Sequence, residues 1–348
     1  MGAPLPIIAV VTREPRLQNL KQRWVTSSNV AFRMQQAASH EHARLKRKRQ
    51  KMALAGNMAE GDFDLQVSNA SDALSDDDEL REEDLTYTEA LKKLMHEIDF
   101  GYPVKKVDRD YISNFDFDRC LVVVVFGQDG LVANVAKYVD DVPIIGVNPD
   151  PQRNDGILLP FNIRNVRKIV KRAIDRKSKT RDVTLAEVTT NDGQRMLAFN
   201  DFFVGCKTHT SARYTVELNL KTESQSSSGI IVSTGAGSTG WMSSVINMAG
   251  RIGRILNGDS TPTSTVHRLD WSERKLMWAV REPFISRHSS ADMIGGFLNS
   301  EEELVVGSQM DGNGVIFSDG IESDFIEFNS GSIAAFKVAE QKAHLIVG

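Results

Sequence analysis

The run Leu121-Val122-Val123-Val124-Val125, extended by Phe126, constrains the fold of this chain more than any other stretch, because it leaves no polar face. A strand of this kind is buried on both sides, as in a parallel sheet covered by helices. The next residues agree: Gly127-Gln128-Asp129-Gly130 breaks the strand, and Leu131, Val132, Val135 and Val139 recur at helical spacing. Residues 7–12 read as a first strand and residues 142–148 as another. Residues 86–98 and 163–174 read as helices, as does part of residues 17–58. The first half is therefore expected to be an α/β domain built on an open, doubly wound parallel sheet.

The period changes in the second half. Residues 214–220 alternate apolar and polar, as a strand with one wet face does, and Asn191-Asp192-Gly193 has the composition of a hairpin turn. Residues 196–204, 275–280 and 314–317 read as further strands, so a β-rich C-terminal domain is expected. Within the first half lies an oddity. A basic block at residues 46–51 and an acidic stretch at residues 71–84 suggest a solvated polar insertion over about residues 44–85, since like charges in blocks repel and bury no core. The division expected is residues 1–162, residues 163–324, and a last segment, residues 325–348.

Composition narrows the function classes. Of 348 residues, 41% are hydrophobic and 25% charged, which suits a folded protein, and a net charge of −4 offers no general attraction to nucleic acid or an anionic membrane. Small-molecule partners are the simpler expectation. The two cysteines have no CxxC spacing, and His40 and His42 stand two apart, off any shared helix face; no protein-built metal site is expected, and a reduced, cytoplasmic compartment fits. No apolar stretch is long enough to span a bilayer.

Two glycine loops could carry chemistry. Gly127-Gln128-Asp129-Gly130 joins a buried strand to a helix, where free N–H groups and the helix dipole attract phosphate. An acid there suits a metal ligand or a proton acceptor, although Gly, Asp and Gly are also ordinary turn residues. The second loop, Gly235-Ala236-Gly237-Ser238-Thr239-Gly240, matches G-x-G-x-x-G between an apolar run and a helix marked by Trp241, Val245, Met248 and Ile252. No second parallel strand follows, so a Rossmann unit is not expected. A ribose or phosphate loop and a plain strand-to-helix corner both remain open. There is no P-loop lysine motif and no G-x-S-x-G elbow.

In order along the chain, GQDGL, Asn200-Asp201 and Ser233-Thr234-Gly235-Ala236-Gly237-Ser238-Thr239-Gly240-Trp241 resemble the GGDGT, Asn-acid and STPTGST-A-Tyr motifs of NAD kinases. Asn148-Pro149-Asp150-Pro151 with the following Gly156-Ile157, and Arg281-Glu282-Pro283, resemble the divergent mitochondrial-type branch. The resemblance implies a fold like that of NAD kinases and diacylglycerol kinases, with the β-rich part binding a dinucleotide and the last segment returning to the first domain. It implies a kinase that moves the γ-phosphate of ATP, with Mg2+ or another divalent cation, to the adenosine ribose 2′-hydroxyl of NAD. Asp129 would be the base; Gly127, Gln128 and Gly130 would line the phosphates. Asn200, Asp201, Ser228, Ser238, Thr239, Gly240, Trp241, Gly156 and Ile157 would hold NAD. A homodimer or homotetramer is implied as well. Gln128 stands where the family has its second Gly, Leu131 where it has Thr, and Asp201 where most members have Glu. These departures admit an alternative, a weakened paralogue that senses NAD(P). A kinase for another small molecule is the third reading, since lipid kinases of related fold share a similar loop.

Overall fold

The computed structural model describes residues 5–24, 36, 76–257 and 268–348. The first half comprises β1 (Ile7–Thr12), α1 (Arg16–Trp24), α2 (Asp76–Glu97), β2 (Val104–Asp108), β3 (Cys120–Phe126), α3 (Asp129–Ala136), β4 (Ile144–Val147) and α4 (Val166–Ile174). Its strands lie parallel in the order β2-β1-β3-β4. Alternation along the strands sends side chains to two cores. Ala9, Val11, Val123 and Val125 pack with α3, whereas Ile8, Val10, Val122 and Val124 pack with α2 and α4. Both faces of the all-apolar strand are thus covered, which is the doubly wound arrangement.

The second half comprises β5 (Lys179–Thr190), β6 (Arg195–Ala198), β7 (Asp201–Cys206), β8 (Ala212–Leu218), β9 (Lys221–Ser227), β10 (Ile230–Ser233), α5 (Trp241–Asn257), β11 (Lys275–Val280), β12 (Gly295–Asn299), β13 (Leu304–Ser308), β14 (Gly314–Ser318), β15 (Phe325–Glu327) and β16 (Ile333–Val347). One antiparallel sheet runs β12-β11-β10-β7-β14-β15. It packs against the antiparallel part of the larger sheet, with Phe202, Val232 and Ile316 meeting Val188, Tyr214 and Phe336 in a shared core. β16 joins the halves: it pairs with β5 and β13, and at Leu345 it reaches Ile144 of β4.

Two details of the sequence reading are refined. Of the expected polar insertion, residues 76–84 lie in the N-terminal part of α2, while residues 44–75 lie outside the described residues. Leu80, Tyr87, Ala90 and Leu94 give this helix one buried face. Val166 and Val170 of α4 pack on the parallel sheet. The strand expected over residues 214–220 stops at Leu218, because Asn219 and Leu220 adopt left-handed φ values of 51° and 65° in a two-residue hairpin turn. Among the described residues, no helix is long and apolar enough to cross a membrane.

Candidate active site

Strand order decides where a ligand would sit. The chain leaves β1 toward β2 on one side and leaves β3 toward β4 on the other, so a crevice opens between the C-terminal ends of β1 and β3. Register pairs Thr12 with Phe126, which sets Arg13 beside Gly127 at the mouth of that crevice. Tyr87 ties the two strand ends together, accepting from the Arg13 backbone N–H at 3.2 Å and donating to the Phe126 carbonyl at 3.2 Å. Burial pushes the Tyr87 hydroxyl up to about 12, which keeps it a donor at neutral pH.

The Gly127-Gln128-Asp129-Gly130 loop opens α3 at this point. A Cβ on Gly127 would approach Leu131 Cδ2 at 3.0 Å and the Arg13 stem at 3.6 Å. Leu131 is therefore core, and its place in the motif is explained by packing. Gly130 differs: it is exposed and a Cβ there would meet nothing within 4 Å, so packing does not demand glycine. Gln128 is exposed and its side chain does not cap the helix. Asp129 faces back across the crevice, where Oδ2 accepts from the Ile157 N–H and Oδ1 from the Leu158 N–H, each at 3.0 Å. Gly156 makes this return possible. Its φ is +63°, and a Cβ would come within 2.7 Å of Asn148 Nδ2, the group that donates to the Asn154 carbonyl at 2.9 Å. Ile157 itself stands 74% exposed.

The other half of the site hangs on a residue that sequence reading passed over. Asp319, in the turn after β14, accepts from the backbone N–H groups of Phe199, Asn200 and Asp201 at 3.1, 2.6 and 3.4 Å. Lys137, the C-cap of α3, places its ammonium 3.7 Å from that carboxylate and donates to Ser318 Oγ at 2.9 Å. Both side chains are buried. Burial raises the Asp319 carboxyl, while Lys137 and the three N–H groups oppose it; burial lowers Lys137, opposed first by Asp319. One short helix thus carries Asp129 at its start and is fastened at its end to the strand bearing Asn200 and Asp201. The Asn200 side-chain amide makes no hydrogen bond to the described residues. Asp201 is buried, and its carboxyl is pushed up to about 7 by burial and by the charge of Asp319.

The second glycine loop is a close-packed corner. A Cβ on Gly237 would fall on the Asn200 carbonyl and one on Gly235 on the Asp270 carbonyl, so both glycines let backbone approach backbone. Ser238 is fully buried and donates to the Gly235 carbonyl at 2.7 Å, whereas Thr239 and Gly240 are exposed. Trp241 stacks on Phe203 with centroids 5.6 Å apart, and the Arg281 guanidinium lies 5.3 Å from the Trp241 ring. These three residues and Ser228 line a cavity of about 530 Å³. Asp129, Asn200 and Thr239 are not among its walls. Leu131 and Phe199, with the partly buried Leu158 and Ala236, belong to the same hydrophobic core cluster. Among the described residues, no group of three or more His, Cys, Asp or Glu side chains is placed to hold a metal ion.

No family model and no curated protein matches the chain. Solved structures do. An NAD kinase from Archaeoglobus fulgidus in complex with ATP is 16% identical, with 75% of this chain and 89% of that one covered and a TM-score of 0.50. Yeast NADH kinase complexed with NADH is 12% identical, with 99% and 84% covered and a TM-score of 0.55. A parallel α/β sheet continued into a β-rich sandwich is the fold this chain shares with those two kinases.

Proposed function

We propose that this chain is a kinase of the NAD kinase type, moving the γ-phosphoryl group of ATP to the adenosine ribose 2′-hydroxyl of NAD. The observation that carries the reading is the link from Asp129 through α3 and Lys137 to Asp319, and from there to Asn200 and Asp201. A loop at the switch point and a nucleoside-binding pair are thereby held in one rigid frame, and phosphoryl transfer depends chiefly on such positioning. The fold shared with the two kinases supports the same assignment.

In this reading Asp129 accepts the proton of the attacking 2′-hydroxyl. Each of its oxygens already accepts one N–H, from Ile157 or Leu158, which orients the carboxylate and leaves a second acceptor direction on each. Gly127, Gln128 and Gly130 line the donor phosphates. Asn200 and Asp201 hold the adenosine, and Thr239, Gly240, Trp241 and Ser228 face the rest of the dinucleotide. Buried Ser238 supports that loop from within. A divalent cation such as Mg2+, brought with ATP, would supply charge neutralisation at the donor phosphates. A homodimer or homotetramer in the cytoplasm completes the proposal.

The test is formation of NADP from NAD, ATP and magnesium by purified protein, together with Gln128→Gly. Turnover that rises in the variant supports the kinase and identifies the side chain as an obstacle. Tight NAD binding without any NADP would replace the kinase with a sensor.

A further inference from the structure

The proposed kinase motifs leave out a cation that the sheet itself puts beside the phosphate loop, Arg13. Arg13 follows β1, its stem lies against Gly127, and it lines a cavity of about 440 Å³ together with Arg109, Asn134 and Tyr138. Its guanidinium is mostly buried, yet only partly satisfied: Nη2 donates to Glu83 of α2 at 3.1 Å, while Nε is enclosed with no hydrogen-bond partner. An enclosed donor left unmet is unfavourable, so the present pairing is one that a better anion can replace. The neighbouring acid on the same helix, Glu82, holds Arg153 at 2.8 Å on the loop that leads to the Asp129 contacts. Two consecutive carboxylates therefore occupy two arginines around the crevice.

We propose that Arg13 is the anchor for the donor's phosphate chain, and that Glu83 occupies it until the donor arrives. The inference rests on the phosphotransfer reading and names the residue that takes over from the glycine replaced by Gln128. A guanidinium meets phosphate oxygens through two parallel N–H groups, which a single carboxylate contact on one Nη does not match. Asp108, Asp110 and Asp324 line the same cavity and repel a bare phosphate, so the anion binds as its magnesium complex.

Calorimetry on the full chain tests this, with magnesium-ATP and magnesium-tripolyphosphate as separate titrants and NAD as the reference ligand. Arg13→Met is expected to weaken triphosphate binding at least about tenfold, Arg13→Lys less, and Glu83→Gln to tighten it about threefold or more, with NAD affinity unchanged within twofold. A response with both titrants assigns the site to phosphates alone, and a response with ATP only assigns it to a nucleoside triphosphate; either supports the proposal. It is overturned if the wild type binds neither titrant, if Arg13→Met binds as the wild type does, or if Glu83→Gln brings no gain. Should Arg13→Met fold poorly by circular dichroism, Glu83→Gln alone decides. The kinase reading fails separately: triphosphate bound through Arg13 with no NADP formed removes the reaction and keeps the site. NADP formed by Arg13→Met with an unchanged KM for ATP does the reverse.

Discussion

At the scale of single residues, glycines and carboxylates separate structural from chemical demand. Gly235 and Gly237 are required by packing against backbone, a Cβ on Gly127 would press only on the tip of Leu131, and Gly130 has open space around it and sits in the first turn of a helix. Gly130→Ala is therefore expected to raise stability by up to about 0.5–1 kcal/mol through helix propensity, while weakening turnover because a methyl group intrudes on the phosphates. Thermal unfolding and an NADP assay on one preparation check both signs. Asp129→Asn is expected to lower kcat by about 10²–10⁴-fold with little change in NAD affinity, since only the proton acceptor is lost; a rate close to wild type would remove Asp129 as base. Asp201 makes a pH prediction. Its folded value, raised to about 7, lies above the ordinary carboxylate value near 4, so the native state binds the extra proton between those limits. Stability from this group is complete below about pH 4 and is lost as pH rises to about 7. Asp201→Asn cannot ionise, so its unfolding free energy relative to wild type, measured with denaturant, should grow from pH 5 to pH 8 by on the order of 1–4 kcal/mol.

At the scale of elements, α3 acts as a strut. It has eight residues, starts at the candidate base and ends one residue before Lys137, whose ammonium meets Asp319. Removing one partner of a buried pair strands the other, at about 3–5 kcal/mol. Asp319→Ala should be the harsher change, because it also frees three backbone N–H groups beside Asn200, and Lys137→Met the milder. Denaturant midpoints of the two variants check that order, and equal midpoints would show that the backbone contacts contribute little. The hairpin between β8 and β9 offers a contrasting case. Leu220 is 98% exposed with a φ of 65°, so Leu220→Gly should stabilise by about 0.5–1 kcal/mol, relief of left-handed strain exceeding the added chain entropy.

At the scale of the whole molecule, β16 makes the two halves one cooperative body. Its first residues pair with β13 and β5, and its last reach β4, so Ala343 and Leu345 lie in the core beneath the crevice while Phe336 lies in the sandwich core. Without it the larger sheet would split between β4 and β13, and β5 would lose its long antiparallel partner. Calorimetric unfolding should therefore show one transition, with both halves melting together, whereas two separated transitions would show that the β16 pairing is not what couples them.

How much of this was legible beforehand follows from the range of each interaction. Leu121 to Val125 announced a two-sided parallel sheet because burial on both faces acts residue by residue, and the alternation in residues 214–218 announced a one-sided strand for the same reason. The GQDGL loop was placed correctly between strand and helix by its local breakers. The ion pairs of the acidic run in α2 were not legible, because charge density is visible along the chain and the partners Arg13 and Arg153 are not. Lys137 and Asp319, 182 positions apart by the difference of their numbers, carry no local signature; only the closed fold removes both from water and forces them to satisfy each other. Short-range periodicity therefore determined the elements, and tertiary structure alone decided which charges meet at the crevice, since a buried charge is matched by whatever the fold brings to it.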